Sequence, residues 1–444
     1  MLLPYSLLLW LLLPYVLLRL LWRSGKQPEY LRHVGERFGF YPPRDKHPVI
    51  WLHAVSVGET RATQNLVARL LASYPQHQIL LTHSTPTGRA ASEQLYGDRV
   101  LKAYLPYDYA FAVRRFLRHF RPQLGLLMET ELWFNLIEAC HKGGIPLLLL
   151  NARMSEKSER GYARFSRLTG DALGKLAGVA AQTADDAARL ARLGARNVSV
   201  MGNLKFDIEP PPAMLQKGRE LRALFGSSRK IFLTASTRDG EEILLLDALR
   251  NLNDADFLLV IVPRHPQRFA AVAELLEQRR IPFIRRSELK TTAESAGSLL
   301  QRPLPSQTQA VLGDSMGEMF AYYAAADLAF IGGSLLPFGG QNLIEACAVG
   351  TPVLLGPHTH NFAEAARLAV QTGAAIQLDD AAALVGKARR LLHDNEKIKA
   401  MRRQCIEFVE ANRGATDKAL QLVDQQLAAA VTRPGSLPQV RSSR

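Results

Sequence analysis

Residues 332–362 read GGSLLPFGGQNLIEACAVGTPVLLGPHTHNF, and the order of glycines and apolar runs in this stretch decides how the rest of the chain is read. An apolar run, Leu328–Ile331, ends in Gly332-Gly333, a loop with a second pair, Gly339-Gly340, follows, and a helix-like run covers residues 342–348. A second apolar strand, Val353–Leu355, stops at Gly356-Pro357. The sequence thus predicts a strand, a loop of phosphate size, a helix and a further strand. Glycines let a backbone come close to a ligand, and a helix amino terminus offers N–H groups and a positive dipole end to an anion. Glu345, one turn into the helix, is placed to accept hydrogen bonds from ribose hydroxyls. Two readings follow: a structural turn, or a pocket for a nucleotide or nucleotide sugar.

The chain has 444 residues, 47% of them hydrophobic, enough to bury large cores in two domains of ordinary size. Its cysteines, Cys140, Cys347 and Cys405, are odd in number and far apart, which implies neither a disulfide framework nor a zinc site and fits a reducing compartment. A formal charge of +14 calls for an acidic partner: nucleic acid, anionic lipid or a phosphorylated substrate. With aromatics at 8% and no interleaved arginine and aromatic platform, nucleic acid is disfavoured.

Residues 1–22 carry one charge, Arg19, and are otherwise mostly leucine, with Pro4 and Pro14 inside. A membrane span needs about 20 apolar residues, so a transmembrane anchor is one reading and a helix lying along the protein or in the membrane plane is the other. There is neither a basic segment before the apolar run nor a small-residue cleavage site after it, which argues against a signal peptide. A basic connector, residues 23–47, carries Arg23, Lys26, Arg32 and Arg37, and the positive-inside rule would keep the body of the protein in the cytoplasm.

A βα alternation then runs to residue 207. Val49–His53 is a strand, and the turn AVSVGET presents Glu59 where a helix over residues 60–73 begins. In an open α/β sheet ligands sit at the carboxyl ends of strands, so Glu59 is either a general base for an attacking hydroxyl or a carboxylate stabilising a helix start. Residues 79–81 form a second strand, followed by a hydroxyl-rich loop with Ser84, Thr85, Thr87 and Gly88, suited to sugar or phosphate and equally to helix capping. Arg114, Arg115, Arg118 and Arg121 repeat at helical spacing, either as a solvated face or as a contact for an anion. Residues 124–128 form a buried strand with Glu129 and Glu131 at its carboxyl end. Strands over residues 147–151, 179–182 and 198–200 complete a largely parallel sheet, and Lys205 follows at its end as a point charge for an anion.

The run Glu209-Pro210-Pro211-Pro212 marks a linker, residues 208–228, before a second α/β unit over residues 229–425. A strand from Lys230 leads through Ser236, Thr237 and Arg238 to a helix over residues 241–250, a pattern fitting phosphate binding or a capping box. A strand over residues 257–262 reaches Arg264 and His265, where a guanidinium can fork onto phosphate. Residues 287–309 read as a flexible polar loop, and the tail, residues 426–444, as disordered.

The motif GGSxxPxGGxNxxE with GTPV and GPHTxNF resembles the donor signature of the 3-deoxy-D-manno-oct-2-ulosonic acid (Kdo) transferases. HAVSVGE, METELWxN, the NxRxSxxS-type loop, GNLKFD, PRHPxRF and GDxMGE match the same family in order, over nearly the whole chain after the apolar start. The resemblance implies two facing Rossmann-like domains, the B-type glycosyltransferase fold, with the active site between them, a final helix crossing back onto the first domain and an amino-terminal membrane anchor. It implies Glu59 as catalytic base, with Gly58, Ser84, Thr85 and Arg153 on the acceptor side. Glu129 or Glu131 would orient the acceptor or steady the transition state, without a choice between them, and Lys205 would meet phosphate or sugar carboxylate. Arg264, His265, Met316, Gly317, Glu318, Asn342, Leu343, Ile344 and Glu345 would hold the donor nucleotide, and Ser236, Thr237, Arg238, Gly339 and Gly340 its phosphate or sugar. Where the family has His-Asn-Pro-Leu-Glu this chain has Gln341-Asn342-Leu343-Ile344-Glu345, which carries no acid–base role over to position 341.

The implied activity is inverting transfer of Kdo from CMP-Kdo to a lipid A precursor, lipid IVA, at the cytoplasmic leaflet of the inner membrane. No cofactor is called for. No Asp-x-Asp pair stands where a metal would sit on nucleotide phosphate, so metal-independent chemistry is expected. Two other classes remain open: another membrane-surface B-type glycosyltransferase with a different nucleotide sugar and lipid acceptor, and a non-catalytic, membrane-tethered basic binding protein.

Overall fold

The structure, a computed structural model, describes residues 2–45, 47–249, 257–289 and 303–431. Residues 290–302 of the expected polar loop and residues 432–444 of the expected tail lie outside the described residues. Residues 426–431, read as part of that tail, belong to the helix Ala415–Val431, since QQLAAAV is a run of helix formers. The chain divides into two compact units, one formed by the chain up to Asp207 together with the stretch from Arg413, the other by Ile208–Asn412.

The first unit holds β1 (Val49–His53), β2 (Gln78–His83), β3 (Leu101–Tyr104), β4 (Pro122–Met128), β5 (Leu147–Ala152), β6 (Gly178–Ala181) and β7 (Val198–Val200). They form a seven-stranded sheet in the order β3-β2-β1-β4-β5-β6-β7. The neighbours pair in parallel. A parallel sheet is covered on both faces, which is why β1 and β5 read as unbroken apolar runs. The alternation persists beneath: Val49 and Trp51 join one core with Phe116 and Leu136, while Ile50 and Leu52 join another with Leu66 and Leu70. That second core is completed by Ala415, Ala419 and Val423, so the last helix closes a face of the first sheet. The range 229–425 read for the second domain therefore crosses back at Asn412. Asp207 secures the return, its carboxylate accepting from the N–H of Gly414 at 2.8 Å and from that of Thr416.

The second unit holds β8 (Lys230–Thr237), β9 (Phe257–Pro263), β10 (Phe283–Arg285), β11 (Ala310–Leu312), β12 (Leu328–Ile331), β13 (Val353–Leu355) and β14 (Ala375–Gln377). Its seven strands are also parallel, ordered β10-β11-β9-β8-β12-β13-β14. The stretch read as a linker contains the helix Pro212–Phe225, packed into this unit through buried Leu221, Leu224 and Phe225. In both sheets the strand order reverses near the middle, at β1/β4 and at β8/β12. Ligands of open α/β sheets collect at such switch points.

The strands β3, β10 and β14 were not expected from the sequence. They are short edge strands, β10 with no fully buried residue, and offer no apolar run to read. The helix expected over residues 60–73 is two, Val57–Ala62 and Gln64–Ser73, with Thr63 at the joint donating its hydroxyl to the Thr60 carbonyl at 3.0 Å. The helix expected over residues 342–348 shortens to Ile344–Ala348, because the Asn342 side chain accepts the Ile344 N–H at 3.1 Å.

At the amino terminus, the continuous anchor helix is replaced by two, Leu2–Leu11 and Leu13–Lys26. Pro14 lacks the N–H that would continue the first helix. Among the described residues no single helix is long and apolar enough to cross a membrane, and only this pair, bent by 49°, passes that test together. Arg37, counted with the basic flank, is buried: it donates to the Ser84 carbonyl at 3.2 Å and lies 4.1 Å from the Tyr104 ring centroid.

Asp207→Ala would leave two backbone N–H groups at the start of the closing helix without acceptors, at about 1–3 kcal/mol each. Thermal unfolding should begin earlier than in the wild type, with increased proteolysis in the segment after Arg413; an unchanged melt would contradict this role.

Candidate active site

The site in the first unit is built at the β1/β4 switch. After β1 the chain enters the helix Val57–Ala62, whose start is a reciprocal cap. Ser56 Oγ accepts from the Glu59 N–H at 3.4 Å, while Glu59 accepts from the Val55 N–H at 2.8 Å and from the Ser56 hydroxyl at 2.9 Å. The capping role considered for Glu59 is therefore real. It does not exclude the chemical one. Burial pushes the Glu59 carboxyl up to about 7, the Val55 N–H pulls it down, Glu129 pushes it up, and Ser56 and Glu131 add smaller opposite effects. Glu59, Glu129 and Glu131 thus share one electrostatic neighbourhood, with one member poised near neutrality. That is where a general base works best.

Glu129 follows β4 directly in a left-handed conformation, φ 58°, unusual for a side chain of its size. Such strain recurs at functional positions. Glu131 accepts from Trp133 Nε1 at 2.7 Å, and burial raises its carboxyl against the pull of that indole, with Glu129 adding to the rise. The two residues differ in how they are held: Glu131 is oriented by a hydrogen bond, Glu129 by its backbone.

Around this cluster the strand ends are tied by amides. Asn151, also left-handed at φ 52°, accepts the Leu204 N–H at 3.1 Å. Gln182 donates to the Asn151 carbonyl, Asn203 donates to Gln182, and Asn203 accepts the Lys205 N–H, each at 3.0 Å. Lys205 is half-buried on the short helix Leu204–Phe206. Thr85 caps the helix Pro86–Tyr96 through the Gly88 N–H and donates to the Val55 carbonyl, both at 3.1 Å, so the hydroxyl-rich loop is tied to the Glu59 loop. The Ser84 carbonyl is held by Arg37, while Gly58 and Arg153 are exposed. His53 and His83, passed over in the sequence, are buried where β1 meets β2. Burial pushes them down to about 3 and about 4, so both are neutral; Nδ1 of His53 faces Thr82 and that of His83 the Ala54 carbonyl.

In the second unit the counterpart lies at the β8/β12 switch. The Arg238 guanidinium lies 4.6 Å from the Phe338 ring centroid, and Arg264 Nε donates to Gln341 Oε1 at 3.3 Å. Burial lowers the His265 imidazole, and the positive charges of Arg238 and Arg264 lower it further, which places the three groups together. The arrangement suits an anion. Ser236 takes a left-handed turn, φ 56°, and Thr237 donates to Glu242 at 2.9 Å inside the protein.

The glycine loop is organised differently from the phosphate cradle read in the sequence. Glu241, fully buried, accepts from the N–H groups of Arg238 at 2.8 Å, Gly333 at 2.6 Å and Leu335 at 2.9 Å. Gly340 and Gln341 donate their N–H groups to the carbonyls of Gly333 and Gly332, at 2.7 and 3.0 Å. These donors serve the loop's own shape. Gly339 suits its place because φ is 90°, a backbone that L side chains rarely adopt, and a Cβ there would also push the Asn361 and His360 side chains aside. Leu343 and Ile344 are buried, leaving Asn342 and Glu345, joined by a 3.1 Å hydrogen bond, as the polar pair after the loop. On the 313–318 loop Met316 is exposed and Gly317 has φ 79°. Glu318 is held by Lys217, by Arg286 at 3.1 Å and by the Ser315 hydroxyl at 2.6 Å. Glu241, Lys217 and Arg286 were missed in the sequence; Glu241 looked like an ordinary acidic residue at a helix start.

Two parallel-sheet α/β units, each with a polar cluster at its switch point, are consistent with the B-type glycosyltransferase fold. The crystal structure of a glycosyltransferase from Rickettsia africae covers 86% of this chain and 99% of its own at a TM-score of 0.55 and 15% identity, which shows the fold. The UDP-GlcNAc 2-epimerase of Neisseria meningitidis covers 85% and 100% at a TM-score of 0.55 and 16% identity, a likeness of fold alone. The family model for 3-deoxy-D-manno-octulosonic-acid transferase matches residues 32–208, and that for glycosyl transferases group 1 matches residues 243–408. A 3-deoxy-D-manno-octulosonic acid transferase of Bordetella pertussis is 41% identical over 91% of this chain and 94% of its own. One of Haemophilus influenzae is 36% identical over 95% and 98%. The chain belongs to the 3-deoxy-D-manno-octulosonic acid transferase family, and it is a glycosyltransferase.

Deprotonated Glu59 is the form that can accept a proton, so the acidic limb of the rate profile should rise through about pH 7. Glu129→Gln removes a like charge, which lowers the Glu59 carboxyl and moves that limb to lower pH; a limb that stays in place would contradict the coupling. Glu241→Gln brings an amide N–H against the loop's own donors. It should raise KM for the sugar donor by about tenfold or more, the equivalent of about 1.4 kcal/mol, with a smaller effect on kcat.

Proposed function

We propose that this chain transfers Kdo from CMP-Kdo to a hydroxyl of a lipid A precursor, lipid IVA, with inversion at the anomeric carbon. The observation that carries the reading is the Glu59 carboxylate, held near neutrality by burial and by its neighbours Glu129 and Glu131. Glu59 takes the proton of the acceptor hydroxyl as its oxygen attacks the anomeric carbon. The bond from that carbon to the CMP phosphate breaks, and its electron pair leaves with CMP. Attack opposite the leaving group inverts the centre. Glu129 and Glu131 orient the acceptor or face the positive charge that develops on the sugar ring. Arg238 and Arg264 meet the negative charge of the departing phosphate, residues 316–318 with Asn342 and Glu345 hold the cytidine and ribose, and Lys205 offers an ammonium group to an anion on the first unit. Kdo transferases among the relatives support the donor sugar.

With guanidinium and ammonium groups in these roles, transfer proceeds without a divalent metal. Activity should survive a chelator unchanged; loss restored by magnesium would contradict this. The acceptor is a lipid, and the enzyme works at the cytoplasmic side of the inner membrane, which it meets through residues 2–22 and the neighbouring arginines.

The reaction is tested by mass spectrometry of lipid A precursor incubated with CMP-Kdo and enzyme, beside Glu59→Gln. The wild type should add one or more Kdo masses. The variant should be slower by about 10²–10⁴-fold, the contribution expected of a general base. No mass gain beside an active control enzyme would replace this donor or acceptor with another.

A further inference from the structure

The leucine-rich start of the chain is seated on the first unit. Tyr5 and its neighbour Ser6, then Leu9, Leu13, Val16 and Leu20 at steps of three or four residues, are half-buried or buried, a stripe that continues across the bend between the two helices. Its polar members have defined partners. The Tyr5 hydroxyl donates to Asp108 at 2.9 Å, and the Ser6 hydroxyl donates to Asn135 at 3.1 Å. The Leu9 carbonyl accepts from the Tyr109 hydroxyl at 2.9 Å. Rings close the contact: Tyr5 meets Phe134 edge-on at 5.1 Å, and Trp10 lies 5.4 Å from Tyr109.

Asp108 is the centre of this contact. It is 4% exposed and accepts from the N–H groups of Asn135 and Leu136, each at 2.9 Å, as well as from Tyr5. If the first helix left to cross a bilayer, the carboxylate would lose a donor, and the Tyr5 and Ser6 hydroxyls would enter hydrocarbon, where unpaired polar groups cost most. The opposite side of the pair is apolar and open to solvent: Leu3 is 77% exposed, Leu7 62%, Leu11 79%, Leu18 66% and Trp22 66%. Beside it stand cations. Arg114, Arg115 and Arg118 are exposed on the helix Ala110–Phe120, where Arg115 lies 5.3 Å from the ring of Phe111, itself 5.7 Å from Trp10. Arg19 is exposed on the pair itself. An apolar ridge flanked by arginines fits the boundary between acyl chains and anionic headgroups.

We propose that residues 2–22 bind the bilayer lying in its plane, as a bent helix pair latched to the first unit through Asp108, and do not cross it. The exposed leucines enter one leaflet and the arginines meet its phosphates. The inference rests on the membrane part of the proposed function and is independent of the sugar transferred. It has a consequence for the site: Asp108 caps the helix Phe134–Lys142, which follows the Glu129–Trp133 segment directly, so the latch that seats the membrane helix also anchors the loop bearing Glu129 and Glu131.

The native cysteines Cys140, Cys347 and Cys405 are all buried, so single thiols placed at Leu3, Leu7, Leu11, Leu18 and Trp22 can carry a nitroxide selectively. Full-length protein would be bound to vesicles of phosphatidylglycerol and phosphatidylethanolamine and label depth read by power saturation. The proposal requires all five labels at similar shallow depth in one leaflet. A depth that runs steadily through the midplane from position 3 to position 22, or labels that stay in water, would overturn it. Asp108→Asn in the Leu3-labelled protein should sharpen the spectrum as the first helix loosens, and Tyr5→Phe serves if that variant does not fold. A spectrum unchanged in the folded variant would overturn the latch. No arm depends on turnover, so failure here is distinct from failure of the transfer reaction.

Discussion

Backbone N–H groups at loops and helix starts need acceptors when they are buried, and this chain meets that need repeatedly with carboxylates. Asp108 takes the N–H groups of Asn135 and Leu136, Asp186 that of Met154, Asp207 those of Gly414 and Thr416, and Glu241 those of Gly333 and Leu335. Each is a buried charge made tolerable by donors aimed at it. Together they hold the seat of the amino-terminal helices, the return of the last helix and the glycine loop of the second unit. Glu59 belongs to the same class: burial raises its carboxyl to about 7, as it raises Asp108 to about 6 and Glu241 above its ordinary value, and what sets Glu59 apart is the added push of the neighbouring carboxylates Glu129 and Glu131.

The neighbouring carboxylates, and not the number of donors, separate the chemical candidate from the structural ones. A helix-start Glu and a general base make the same sequence signature, and the structure shows Glu59 filling the first role with an acidity suited to the second. The field that sets this acidity comes partly from Glu129 and Glu131, far from Glu59 in sequence and adjacent only because β1 and β4 are neighbours. In the second unit, Arg264 after β9 and Gln341 after β12 meet over the end of β8, which lies between those strands, and a neutral amide orients the guanidinium.

Much of the architecture was legible because parallel strands buried on both faces are written as apolar runs. The runs at Val49, Leu147, Phe257 and Leu328 begin or contain central strands, and each ends in a loop with polar residues. The edge strands β3, β10 and β14 were not legible, since half-exposed residues need no apolar run. The glycine loop was legible as a loop, but not the destination of its N–H groups, because Glu241 lies far upstream and its acceptance of them is a tertiary fact.

The sequence by itself determined the two α/β units, the family to which the chain belongs and the positions of the carboxylates and cations at strand ends, because these are properties of local pattern and motif order. Only the tertiary structure decided which of those groups share a field, which N–H groups are consumed within the fold, which core the returning last helix completes, and that a leucine-rich segment is bent and docked through Tyr5 and Asp108. The physical reason is the same in each case: charge coupling, hydrogen bonding and burial depend on distance in space, which the order of residues along the chain does not contain.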